Sequence, residues 1–188
     1  FAILAIWRWG SQRLARELAD LSVPMSDLHA VVTEPGVVRP DDVTVFVTAE
    51  EGLPFALTQE ARLLHVVSAR ILILRMVTAD IPRVAPPEHL TASVVEEGIV
   101  DATLLTGFME RADPARAVAE LAVTFPELDP ARCRYAFYSA HIEVTRSRPG
   151  RWLATEIFAV LQRNATDAQR YYGLPVERVV DLGRLVPL

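Results

Sequence analysis

Apolar residues are spread along the chain in short runs whose spacing changes from one to the next, and the changes define the elements. Val43-Thr44-Val45-Phe46-Val47-Thr48 is β-branched and apolar on both alternating faces, which predicts a strand in the middle of a sheet covered on both sides. Ile71–Thr78 has the same character and ends at Asp80-Ile81-Pro82. Between the two, Pro54 opens a helix predicted to run to about Val67. His89–Val95 and Ile99–Thr106, separated by Glu96-Glu97-Gly98, predict an antiparallel hairpin. Asp113-Pro114 is a helix start, a capping carboxylate followed by proline at the first helical position, and Pro126 closes that helix. Tyr135–Val144 returns to strand, and Trp152–Gln162 is a helix with Trp152, Leu153, Ile157, Phe158 and Leu161 on one broad face. A short helix over Ala165–Tyr172, stopped at Gly173, and a last short strand at Val179-Val180 complete the pattern. The order predicts a single-domain α/β sandwich, a mixed sheet flanked by helices.

Two stretches before residue 43 read differently. Phe1–Trp7 is uninterrupted apolar sequence, about 10 Å long as helix and far short of the ~20 residues that cross a bilayer. It reads either as the end of a membrane helix whose start lies upstream or as an amphipathic helix seated on the protein's own core through Leu14, Leu18 and Leu21. On the first reading Trp7 and Trp9 sit at headgroup level, with Arg8, Arg13 and Arg16 just inside the membrane. Pro24, Pro35, Gly36 and Pro40 mark residues 22–42 as a linker holding a short helix near Met25–Val32. The division expected is therefore 1–21 as membrane-helix end and juxtamembrane helix, 22–42 as linker, and 43–188 as the α/β domain.

Composition removes several functions. All 19 basic residues are arginines, so no lysine Schiff base or phosphate-loop lysine exists. The net charge of −5 argues against a nucleic-acid partner. Arg8, Arg13 and Arg16 precede the first acid, Glu17, leaving 16 arginines against 24 acids downstream. Positive charge is thus concentrated at the apolar end. The eight glycines form no G-x-G spacing, and a single cysteine, Cys133, allows no internal disulfide. His29, His65, His89 and His141 stand far apart, and no nucleophile–base pair, metal set or cofactor motif emerges. Cys133 between Arg132 and Arg134 is either an activated thiol or a small residue entering a strand. Arg146, Arg148 and Arg151 around Pro149-Gly150 form the one cluster suited to an anion such as a phosphate, the alternative being a solvated turn balanced by Glu143 and Glu156. With 51% apolar residues and a mean hydropathy of +0.23, some apolar surface is expected to meet a partner or a second copy.

The C-terminal third carries an ordered string of motifs: Ser147-Arg148-Pro149-Gly150, Trp152, Phe158, Leu161, Arg163-Asn164-Ala165, Tyr171-Tyr172-Gly173-Leu174-Pro175 and Arg178-Val179-Val180-Asp181-Leu182-Gly183. Upstream stand Val43–Thr48, Leu53-Pro54-Phe55-Ala56-Leu57, Thr78-Ala79-Asp80-Ile81-Pro82-Arg83-Val84, Gly107-Phe108-Met109-Glu110 and Trp7-Arg8-Trp9-Gly10. Together they resemble the C-terminal part of the Kup (KUP/HAK/KT) potassium uptake transporters. The resemblance implies a non-catalytic cytosolic domain without cofactor, attached to the end of the last membrane helix. Potassium and protons would pass through a membrane portion outside this chain, at the inner membrane, with this part on the cytoplasmic side. It favours the membrane reading of Phe1–Trp9, with lipid at the N-terminal end, and leaves a homodimer open. Departures from the family pattern are Thr58-Gln59-Glu60-Ala61-Arg62, Ser139-Ala140-His141 and Glu177. A rival reading makes the domain a nucleotide or cyclic-dinucleotide sensor, with Arg146, Arg148 and Arg151 on the phosphates.

Overall fold

In the computed structural model, the structure describes residues 2–19, 23–49, 51–86, 88–143, 152–163 and 176–187. The helices are α1 (Ala2–Ala19), α2 (Leu28–Val32), α3 (Phe55–Gln59), α4 (Pro114–Thr124) and α5 (Trp152–Arg163). The strands are β1 (Val43–Thr48), β2 (Arg70–Ala79), β3 (Leu90–Glu96), β4 (Ile99–Gly107), β5 (Cys133–Glu143) and β6 (Val179–Pro187). They form a six-stranded mixed sheet in the order β3-β4-β2-β1-β5-β6. Only β3 runs antiparallel, paired to β4 across the expected hairpin. The α/β architecture is the one the hydrophobic pattern predicts.

Strand alternation divides the core into two layers. Val43, Val45, Val47, Leu72 and Leu74 face one side and pack with Ala117, Val118 and Leu121 of α4. Phe46, Ile71 and Ile73 face the other and pack with Leu28, Val31, Val32, Ala56 and Leu57 of α2 and α3. Apolar sequence on both faces of β1 is therefore what a central strand between two helical layers requires. The 22–42 segment contributes directly to this second layer through α2.

Two elements differ from the expected ones. The helix expected from Pro54 to Val67 lasts only through Gln59, widens into a π-type turn over Glu60–Leu64, and stops at left-handed His65 (φ 50°). The backbone of residues 65–67 is held instead by Val38, whose N–H donates to the His65 carbonyl and whose carbonyl accepts from Val67 N–H. This tertiary pairing outweighs helix propensity. The last strand is also longer than the two residues expected, because β6 pairs with β5 in parallel register from Tyr135↔Val179 to Glu143↔Pro187. The short helix expected at Ala165–Tyr172 lies outside the described residues.

Candidate functional site

Five parallel strands point their carboxyl ends to one edge of the sheet, the edge where α/β folds generally place ligands and partners. At this edge β2 and β4 end in two loops, residues 80–84 and 107–111, which the chain fastens together. Phe108 N–H donates to the Ile81 carbonyl (3.0 Å) and Met109 N–H to the Pro82 carbonyl (3.1 Å). The Glu110 carboxylate accepts from Val84 N–H (3.0 Å) and from Gly107 N–H (2.8 Å). Those two backbone bonds hold its carboxyl below the usual carboxylate range. Gly107 is required by proximity: a Cβ there would lie 2.3 Å from the Pro82 carbonyl oxygen.

Beside these loops an open cleft of about 330 Å³ runs between β4 and α4, floored by Val84, Leu104 and Ala117. His89 spans its rim. The Pro86 carbonyl oxygen faces Nδ1, and Glu120 Oε2 faces Nε2 at 2.8 Å. Arg116 Nε donates to the other Glu120 oxygen at 2.8 Å. That bond first, then His89, holds the Glu120 carboxyl below its ordinary range against the opposing effect of burial. The cleft's carboxylates are engaged by the protein itself, with Asp113 capping α4 through Arg116 N–H. Among the described residues no group of three or more His, Cys, Asp or Glu side chains could hold a metal ion.

At the opposite edge Arg134 of β5 organises a partly buried polar cluster. Its Nη2 donates to Thr44 Oγ1 (2.8 Å) and lies 3.7 Å from Glu60 Oε2 and 4.0 Å from Asp42 Oδ2. Thr44 Oγ1 and Ser68 Oγ share a 2.6 Å bond. Glu60 is only 3% exposed, and burial pushes its carboxyl up despite the pull of Arg134. Cys133, next in line, is buried, and burial pushes its thiol up to about 11, so it is the small strand residue and not the activated thiol.

The N-terminal residues singled out from sequence sit on α1. Trp7 packs against Phe158 of α5, ring centroids 5.6 Å apart, and Leu14 is buried. Gly10 lies between them on the same face; a Cβ there would meet the Phe158 ring at 2.3 Å. Arg13 lies over the Trp9 ring, 5.8 Å from its centroid, while Arg8 and Arg16 are exposed. No helix among the described residues is long and apolar enough to cross a membrane. Arg146, Arg148 and Arg151 lie outside the described residues. The two-loop clasp is not legible in the sequence: nothing in one chain signals that Glu110 reaches the backbone of Val84.

Residues 41–188 match the family model described as the K+ potassium transporter C-terminal domain. The chain belongs to this family. The chain is also similar to the "Probable potassium transport system protein Kup" of Pseudomonas aeruginosa (strain PAO1), 29% identical over 191 residues covering 100% of this chain. Proteins with the same description in Erythrobacter litoralis and Bordetella pertussis are 28% and 29% identical over 99% and 100% of the chain. In each case the chain spans 30% of the relative's length. No solved structure matches the chain. Both paired loops, 80–84 and 107–111, lie within the matched residues.

Proposed function

We propose that the chain is the cytosolic C-terminal domain of a potassium uptake transporter, a non-catalytic part that shapes assembly or gating. Potassium, moved together with protons, passes through a membrane portion outside this chain. On this reading α1 continues the last membrane helix, Trp7 and Trp9 lie at the interface, and Arg8, Arg13 and Arg16 meet lipid on the cytoplasmic side. The observation that carries it is the family match over residues 41–188 in a chain that spans only 30% of its relatives. Rubidium uptake in potassium-uptake-deficient cells tests it. The full-length protein should restore uptake that a protonophore abolishes, and a version lacking residues 43–188 should be impaired. Absence of uptake by the full-length protein overturns the reading.

A second reading, a nucleotide or cyclic-dinucleotide sensor using Arg146, Arg148 and Arg151, draws support from chain order. Those residues connect β5, which ends at Glu143, to α5, which starts at Trp152, and β1 and β5 flank the point where strand order reverses. Calorimetry of the domain against a nucleotide panel decides it: binding lost on triple replacement by glutamine supports the sensor, and no heat from any nucleotide refutes it.

A further inference from the structure

The paired β2 and β4 strands outrun the centre of the sheet. The last residue of β1 to pair with β2 is Thr48, opposite Arg75, yet β2 continues to Ala79 and stays paired to β4 through Ala79↔Gly107. Four extra residues carry the pair about 13 Å past the end of β1. At its tip the main chain is fixed by the Phe108 and Met109 amide bonds and by the double acceptance at Glu110. Between its charged residues this scaffold holds three apolar side chains open to water: Ile81 is 48% exposed, Phe108 60% and Met109 68%. Contacts within the domain leave that surface bare, and a rigid mount for an aromatic and a methionine is how docking surfaces are built.

We infer that this tip, Ile81 with Phe108 and Met109, docks against the transport portion of the same polypeptide. The inference rests on the reading proposed above, in which that portion precedes α1. Two observations select this occupant. The chain makes up 30% of the length of its relatives, so a large remainder is available. The arm following α1 also joins the domain at this very edge, where Val23 pairs with Leu53 just beyond the carboxyl end of β1 and Leu53 N–H donates to the Val23 carbonyl at 2.9 Å. Charge argues against a lipid surface. Asp80 and Glu110 offset Arg83 and Arg111, so the tip carries no net positive charge to seek anionic headgroups.

The test places p-benzoylphenylalanine at position 108 of the full-length protein in native membranes. The aromatic replacement preserves the loop, and irradiation should join residue 108 to a peptide of the transport portion of the same polypeptide. Replacing Phe108 and Met109 together by aspartate should lower rubidium uptake at least five-fold at unchanged membrane abundance. Cross-links confined to lipid or to a second copy, no cross-link, or, where the wild type takes up rubidium, unchanged uptake by the double variant would each overturn the docking. If the cross-link forms but the wild-type protein carries no rubidium, the docking stands and the transport reading fails.

Discussion

Replacing Gly107 by alanine tests the loop clasp where its geometry is tightest. The new Cβ would lie 2.3 Å from the Pro82 carbonyl oxygen, 2.5 Å from its carbon and 2.6 Å from Arg83 Cα. All three are backbone atoms, so no rotamer change relieves the contact. Restoring ordinary contact requires the loops to part by about 1 Å. That displacement carries the Phe108–Ile81 and Met109–Pro82 bonds, 3.0 and 3.1 Å long, beyond hydrogen-bond reach. Two such bonds at about 1 kcal/mol each, together with the up to about 2 kcal/mol of overpacking strain that survives this relaxation, give a loss of about 2–4 kcal/mol. For a chain of this size that is a melting shift of roughly 6–12 °C. Urea titration measures the loss, and hydrogen exchange at the Phe108 and Met109 amides shows whether it arises at the clasp. Gly36, at φ 94° with open space around it, is the control: alanine there meets only backbone strain, about 1–2 kcal/mol. A Gly107→Ala protein within about 0.5 kcal/mol of wild type, with both amides still protected, would refute the close approach.

Three further outcomes are expected. Glu110 titrates below the ordinary carboxylate range when folded, so its contribution is present above that range and is lost as pH falls through the lowered value. Val84 and Gly107 amide protection should collapse on acidification in wild type, whereas Glu110→Gln should show no such acid step; a step in both proteins counts against the assignment. Glu60 has the opposite sign: its folded carboxyl binds a proton more tightly than the unfolded one, so stability falls as pH rises through the raised value. The stability difference between wild type and Glu60→Gln should therefore decline with rising pH, and a constant difference would contradict the buried site. Gly10→Ala should push α1 off Phe158, red-shift Trp7 fluorescence in a Trp9→Phe, Trp152→Phe background and speed tryptic cleavage at Arg13 and Arg16; an unchanged spectrum and digest would oppose the contact.

What could be read in advance was whatever depended on near neighbours. Alternation in Val43–Thr48, the Glu97-Gly98 turn and the Asp113-Pro114 cap each act over a few residues, and each appears as expected. The overextended helix after Pro54 failed for a distant reason. Leu63 and Leu64 continue an apolar run but are exposed, because pairing of residues 65–67 with Val38 ends the helical segment early. The same distance hid the site: Glu110 lies 26 residues from the amide it receives, Glu120 lies 31 from His89, and Arg134 lies 90 from Thr44. The 78–84 and 107–110 segments contribute to the family resemblance, but nothing in their sequence shows that they bind each other.

The sheet order also imposes a timetable on synthesis. Strands β1 to β4 come from one continuous stretch and can assemble as soon as it leaves the ribosome, but the other side of β1 waits for β5, whose first paired residue is Cys133. At about 5–20 residues per second, the 85 residues from Ala49 through Cys133 correspond to roughly 4–17 s. Throughout that interval the nascent polypeptide shows a bare, strongly apolar β edge, an opening for mispairing with neighbouring chains that a slow stretch of translation before residue 133 would prolong.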